Sequence, residues 1–178
     1  RLINKIPQLR PFLRMFEPET GFELNDSYIT AFKTPHDAAG SVGYKIETCA
    51  GRSLGFATDL GYVPKRVLEI LSGLDLVVLE ANHDVKMLKN GTYPYFLKER
   101  ILGDYGHLSN ECSADAALEL VESGVKTLIL AHLSRENNTP EFARCAVSEK
   151  LVSKGVSVGR DICLSVAPAS RLGEEYSL

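Results

Sequence analysis

The sequence predicts an α+β fold in which mixed sheets carry helices on their outer faces. Two patterns support this. The first third reads as short strands joined by tight turns, and the rest alternates β-α-β-α-β up to Val166. A chain of 178 residues that is 44% hydrophobic and 24% charged suits a single domain, 1–178, with a sizeable core.

Taken in order, Arg1–Phe16 has helix-like apolar spacing but is interrupted by Pro7 and Pro11, so it reads as a kinked helix. Phe22–Leu24 and Ser27–Lys33 read as strands meeting at Asn25-Asp26. Val42–Cys49 and Ser53–Ala57 read as a hairpin turning at Ala50-Gly51-Arg52. Pro64 opens a helix through Ser72 that Gly73 ends. Asp75–Ala81 is a buried strand, and Asn82–Tyr105 holds two short helices separated by Asn90-Gly91-Thr92-Tyr93-Pro94. Ser109 or Asn110 caps a helix running to Gly124, and Val125–Ala131 is a second buried strand. Thr139-Pro140-Glu141 starts a helix to Gly155, and Val156–Val166 is the last strand.

A net charge of −3 and a pI near 5.8 exclude a chain that grips nucleic acid by bulk positive charge. Four widely spaced cysteines without a C-x-x-C pair, and no secretory apolar region, point to reduced thiols in a cytoplasmic protein. No apolar run reaches the length of about 20 residues that a membrane span requires.

The chemistry concentrates in short polar motifs at the ends of apolar runs: T-P-H-D-A with His36, E-A-N-H-D with His83, G-H-L-S-N with His107 and L-A-H-L-S-R-E-N-N with His132. Asp59 in F-A-T-D-L-G joins them. Imidazole and carboxylate are the donors that zinc or manganese takes in a hydrolytic site, and parallel strands present their C-terminal ends to one crevice. Asp59, Glu80 with His83, and His132 each follow a different strand. Each residue also has an ordinary alternative, as a hydrogen-bonded loop histidine or a turn-forming aspartate.

Together with Y-P-x-x-L-K-x-R-I, these motifs resemble those of metallo-β-lactamase-fold hydrolases of the YycJ/WalJ type, relatives of ribonuclease Z, over nearly the whole chain. The resemblance implies the C-terminal portion of an αββα sandwich with a dinuclear metal site at one edge. It implies His36 as a ligand of one metal, His132 as a ligand of the other and Asp59 as the bridge between them. His107 is the implied proton donor to the leaving oxygen, with Glu80 orienting it; an imidazole, with an ordinary pKa near 6.5, suits that task. Two divalent ions, zinc or manganese, are the implied cofactors, and a nucleic acid or other phosphodiester is the implied partner.

One departure matters. The superfamily's H-x-H-x-D-H motif is absent, so the chain reads as a domain begun roughly 80–100 residues late by the usual domain size. His36, Asp59 and His132 alone give neither metal the three protein ligands a zinc site normally has. Weak or partial metal binding is therefore expected of this chain, with a complementing N-terminal segment or a homo-oligomer as the partner that completes it.

For substrate contacts, His83, Ser109, Asn110, Asn137 and Asn138 are candidates, with helix capping as the alternative for the neutral residues and pairing with Asp84 or Glu80 as the alternative for His83. Lys86, Lys89, Lys98 and Arg100 form a candidate basic groove for a strand of nucleic acid. The functional expectation is a metal-dependent phosphodiesterase or nuclease acting on DNA 5′ ends. The alternatives are a thioester or lactam hydrolase of the same fold and a non-catalytic interaction module.

Overall fold

The computed structural model describes residues 16–176 together with Ile6, Gln8 and Pro11; the expected kinked helix at Arg1–Phe16 lies largely outside these residues. Seven strands pair in chain order into one mixed sheet: β1 (Gly21–Leu24), β2 (Ser27–Lys33), β3 (Val42–Thr48), β4 (Ser53–Ala57), β5 (Leu76–Glu80), β6 (Thr127–Ala131) and β7 (Cys163–Val166). The pairings β1–β2, β2–β3 and β3–β4 are antiparallel, while β4–β5, β5–β6 and β6–β7 are parallel. Among the described residues the antiparallel and parallel halves therefore join through β4 and β5 into a single layer. Among the described residues five helices accompany it: α1 (Lys65–Leu71), α2 (Val85–Asn90), α3 (Tyr95–Leu102), α4 (Asn110–Glu122) and α5 (Pro140–Ser153).

The order β4-β5-β6-β7 with parallel pairing requires three crossovers in the same sense. Right-handed crossovers place α1, α4 and α5 on one face of the sheet. That face is sealed: Ala57, Val77, Leu79, Leu128 and Leu130 are fully buried against Leu71, Ala117, Val147 and Leu151 of the helices. Gly55 permits the contact with α1, because a Cβ there would sit 2.4 Å from a Leu71 methyl. The alternate residues of the same strands face away, and Phe56 is 39% exposed.

Capping follows the sequence signals. Ser109 accepts from the Cys112 amide to start α4, Thr139 accepts from Phe142 with Pro140 in the first turn of α5, and Asp84 accepts from Met87 to start α2. The last strand is shorter than its apolar run predicts, since residues 156–162 turn back on themselves. The Ser157 amide donates to the Asp161 carboxylate, and Gly159, with φ of 93°, supplies the left-handed turn.

Candidate metal centre

Each candidate side chain stands on a loop that leaves the sheet at its parallel half or on a loop packed against one. Asp59 lies two residues past β4, His132 directly follows β6, and Glu80 is the last residue of β5. Asp59 and His132 have left-handed backbones, with φ of 60° and 59°, a conformation that costs a non-glycine residue on the order of 1–2 kcal/mol. That cost turns both side chains back over the strand ends. His36 follows β2, and His107 follows α3, where its amide donates to the Ile101 carbonyl.

The side chains converge. His36 Nε2 and His132 Nε2 each stand 3.7 Å from Asp59 Oδ1, and His107 Nδ1 stands 3.9 Å from it. The three imidazoles form a row with His107 in the middle, its ring centroid 4.8 Å from that of His36 and 5.2 Å from that of His132. Beneath them the fully buried Glu80 carboxylate accepts from His107 Nδ1 at 2.7 Å, from His132 Nδ1 at 2.8 Å and from the Leu60 amide at 2.8 Å. Burial pushes the Glu80 carboxyl up, but the two histidine bonds outweigh it and hold the group below its ordinary value. The bond from Glu80 raises the pKa of His132.

This donor set fits a divalent cation. His36 donates Nδ1–H to the Gly106 carbonyl at 2.9 Å and His132 donates Nδ1–H to Glu80, so each ring keeps the Nε2 lone pair that faces Asp59. Fixing a ligating imidazole through its other nitrogen is how metal-site histidines are held. Two donors about 2.1 Å from a shared tetrahedral cation stand roughly 3.4 Å apart, so a gap of 3.7 Å matches a pair joined through a metal and is too long for a hydrogen bond. Glu80 differs, because its 2.7 and 2.8 Å contacts are direct hydrogen bonds. Its bond to His132 is one that sequence reasoning missed; only the spatial register of Glu80 beside Ala131 across β5 and β6 reveals it.

The other candidates are placed differently. Asn110 and Asn138 are buried and exchange reciprocal amide bonds of 2.9 and 2.8 Å; Asn138 also donates to the Ala81 carbonyl. Asn137 is 1% exposed, its backbone carbonyl accepts from the Asp84 amide and its side-chain amide donates to Ser134 Oγ, while the Ser109 side chain caps α4. Of these four, only Ser109 takes the capping role that was the alternative to substrate contact. His83 is 1% exposed, and neither ring nitrogen has a hydrogen-bond partner among the described residues, so the alternative of pairing with Asp84 or Glu80 is not made. Asp84 spends its carboxylate on the α2 cap instead. The basic groove is also reduced, since Lys98 donates to the Lys89 and Gly91 carbonyls and closes α2. Arg100 forms a two-bond ion pair with Asp37. That pair tethers α3 to the His36 loop, and the guanidinium holds the Asp37 carboxyl below its usual range.

This fold and this cluster of histidines around a shared aspartate define a metallohydrolase architecture, and the matching family model is the beta-lactamase superfamily domain, over residues 4–133. The chain belongs to that superfamily, whose fold carries divalent metal. It is 39% identical over 158 residues to a protein of Bacillus anthracis named exodeoxyribonuclease YycJ, covering 89% of this chain and 59% of that one. It is 37% identical over 147 residues to exodeoxyribonuclease WalJ of Streptococcus pneumoniae D39, covering 83% of this chain and 54% of the relative. The chain thus spans a little over half the length of these curated relatives. A zinc-bound PqqB from Methylobacterium extorquens shares the fold, with a TM-score of 0.58 at 18% identity over 86% of this chain and 49% of that one. No helix among the described residues is long and apolar enough to cross a membrane.

Proposed function

We propose that the protein is a metal-dependent phosphodiesterase of the exodeoxyribonuclease type, acting on DNA ends. The observation that carries this reading is the position of Asp59 Oδ1, equidistant from His36 Nε2 and His132 Nε2, each ring fixed through its far nitrogen. Divalent metal would be held by His36 Nε2, by His132 Nε2 and by the Asp59 carboxylate between them. Bound cations supply an activated water near neutral pH and neutralise charge on the phosphate. This chain's own residues do the rest. His107 donates Nδ1–H to Glu80, and in its imidazolium form Nε2 carries the second proton and passes it to the departing oxygen. Glu80 fixes the tautomer of His107 and of His132 with one oxygen. A proton carrier of this kind favours a phosphodiester over a thioester, because an alkoxide needs an acid and a thiolate scarcely does.

The test is a nuclease assay with zinc or manganese on 5′-labelled linear DNA, using the chain alone and the chain extended through its upstream reading frame. Release of nucleotides by the extended protein, with His107→Ala slowing it at least 100-fold while the metal content holds, is the expected result. Loss of metal from His107→Ala would make that ring a ligand. A fully metallated protein that leaves DNA intact would overturn the reading.

A further inference from the structure

Two exposed tyrosines lie on the loops that also carry Asp59 and His107. Tyr62 lies three residues after Asp59 and is 49% exposed, while Tyr105 lies two residues before His107 and is 64% exposed. Chain reach of about 3.6 Å per residue keeps their backbones within roughly 11 Å and 7 Å of those positions. The two loops are built against each other. A Cβ at Gly61 would fall 2.1 Å from the Asp104 carbonyl oxygen, so only glycine allows the loop bearing Tyr62 to lie on the loop bearing Tyr105. The Gly61 amide donates to the Pro35 carbonyl and the Asp37 amide to the Tyr105 carbonyl, which closes the His36 loop onto the same point. The backbones of the three loops thus pack together next to Tyr62 and Tyr105. Meanwhile the side chains once candidate for substrate contact, Asn110 and Asn137, are buried, and Arg100 and Lys98 are spent on structure. Two exposed aromatic side chains therefore lie within chain reach of the centre. A single-stranded nucleic acid is the ligand whose recognition uses such faces, since bases stack on them without regard to sequence.

We propose that Tyr62 and Tyr105 form a stacking rim that grips the terminal bases of a single-stranded DNA end beside the metal centre, a proposal that rests on the phosphodiesterase reading. The rim makes the enzyme sensitive to whether an end is frayed, because paired bases present no free face. The test is binding of an oligonucleotide carrying 2-aminopurine as its terminal base, in EDTA so that nothing is cleaved. Wild-type protein should quench the probe. Tyr62→Ala and Tyr105→Ala should each weaken binding roughly tenfold and relieve the quenching, the loss expected for one base–aromatic stack, while the Phe variants retain both. Phe142→Ala, on the exposed side of α5, should change neither. Alanine variants that bind and quench as wild type does would overturn the rim. So would variants that only convert a dimer to a monomer in sedimentation, which would make the patch a surface for a second copy. Wild-type hydrolysis of bis(p-nitrophenyl) phosphate separates the two readings. If it proceeds and the tyrosines prove indifferent to DNA, the rim alone fails; if it does not and DNA is not bound, the phosphodiesterase reading fails with it.

Discussion

The middles and the tips of β4, β5 and β6 are made by opposite rules. The middles, Val77, Leu79, Leu128 and Leu130 among them, are apolar, fully buried and sealed by α1, α4 and α5. A few ångströms further along the same strands, Asp59 and His132 sit in strained left-handed conformations, Glu80 is a buried carboxylate, and three imidazoles crowd one aspartate oxygen. The tips are affordable only because the middles are so well packed, and substitutions should separate stability from metal binding along a single strand.

The largest separation is expected at Asp59. Asp59→Asn should abolish metal retention and lower activity at least 1,000-fold, and Asp59→Gly should do the same while raising the stability of the metal-free protein by about 1 kcal/mol, through release of backbone strain. Metal analysis and urea unfolding in EDTA check both. Next comes Glu80→Ala, which links the regions. It strands two histidines and the Leu60 amide, so it should cost on the order of 3 kcal/mol and weaken metal binding 10–100-fold. Leu128→Ala, in the sealed middle, should cost about 3 kcal/mol by urea unfolding and leave the metal affinity of the folded protein unchanged.

The effect at His83 is confined to acid pH. Burial lowers its pKa from 6.5 to about 4, against Glu80, Glu111 and Asp84, which raise it, and with His107, which lowers it further. Between these values the unfolded chain binds a proton that the native one does not. Stability should therefore fall as the pH drops from 6.5 towards 4 and level off below, by on the order of 3 kcal/mol in all. His83→Leu should flatten that part of the profile, as measured by urea midpoints at pH 4.5 and 7.

The middles were legible in the sequence because burial on a strand leaves a local record. The D-L-V-V-L-E-A run, the Pro64 and Thr139-Pro140 starts and the Gly73 stop each report on their own segment. The tips were legible as residue types, and His36, Asp59, His107 and His132 do meet. What stayed hidden were the connections: the second bond of Glu80, the Arg100–Asp37 tether, and the burial of Asn110 and Asn137. These depend on strand register and loop closure across 28 to 63 residues of chain, which no local pattern encodes. Even the difference between a capping Ser109 and a substrate-binding one is set by where its neighbours fold.

The central claim concerns two nitrogens. Nitrogen-15 spectra of the histidine side chains during titration with zinc should show Nε2 of His36 and of His132 shifting to metal-bound values while both Nδ1 atoms stay protonated, and Asp59→Asn should erase the change. Metal binding that leaves those two Nε2 resonances unmoved, or that strips the proton from either Nδ1, would contradict the account.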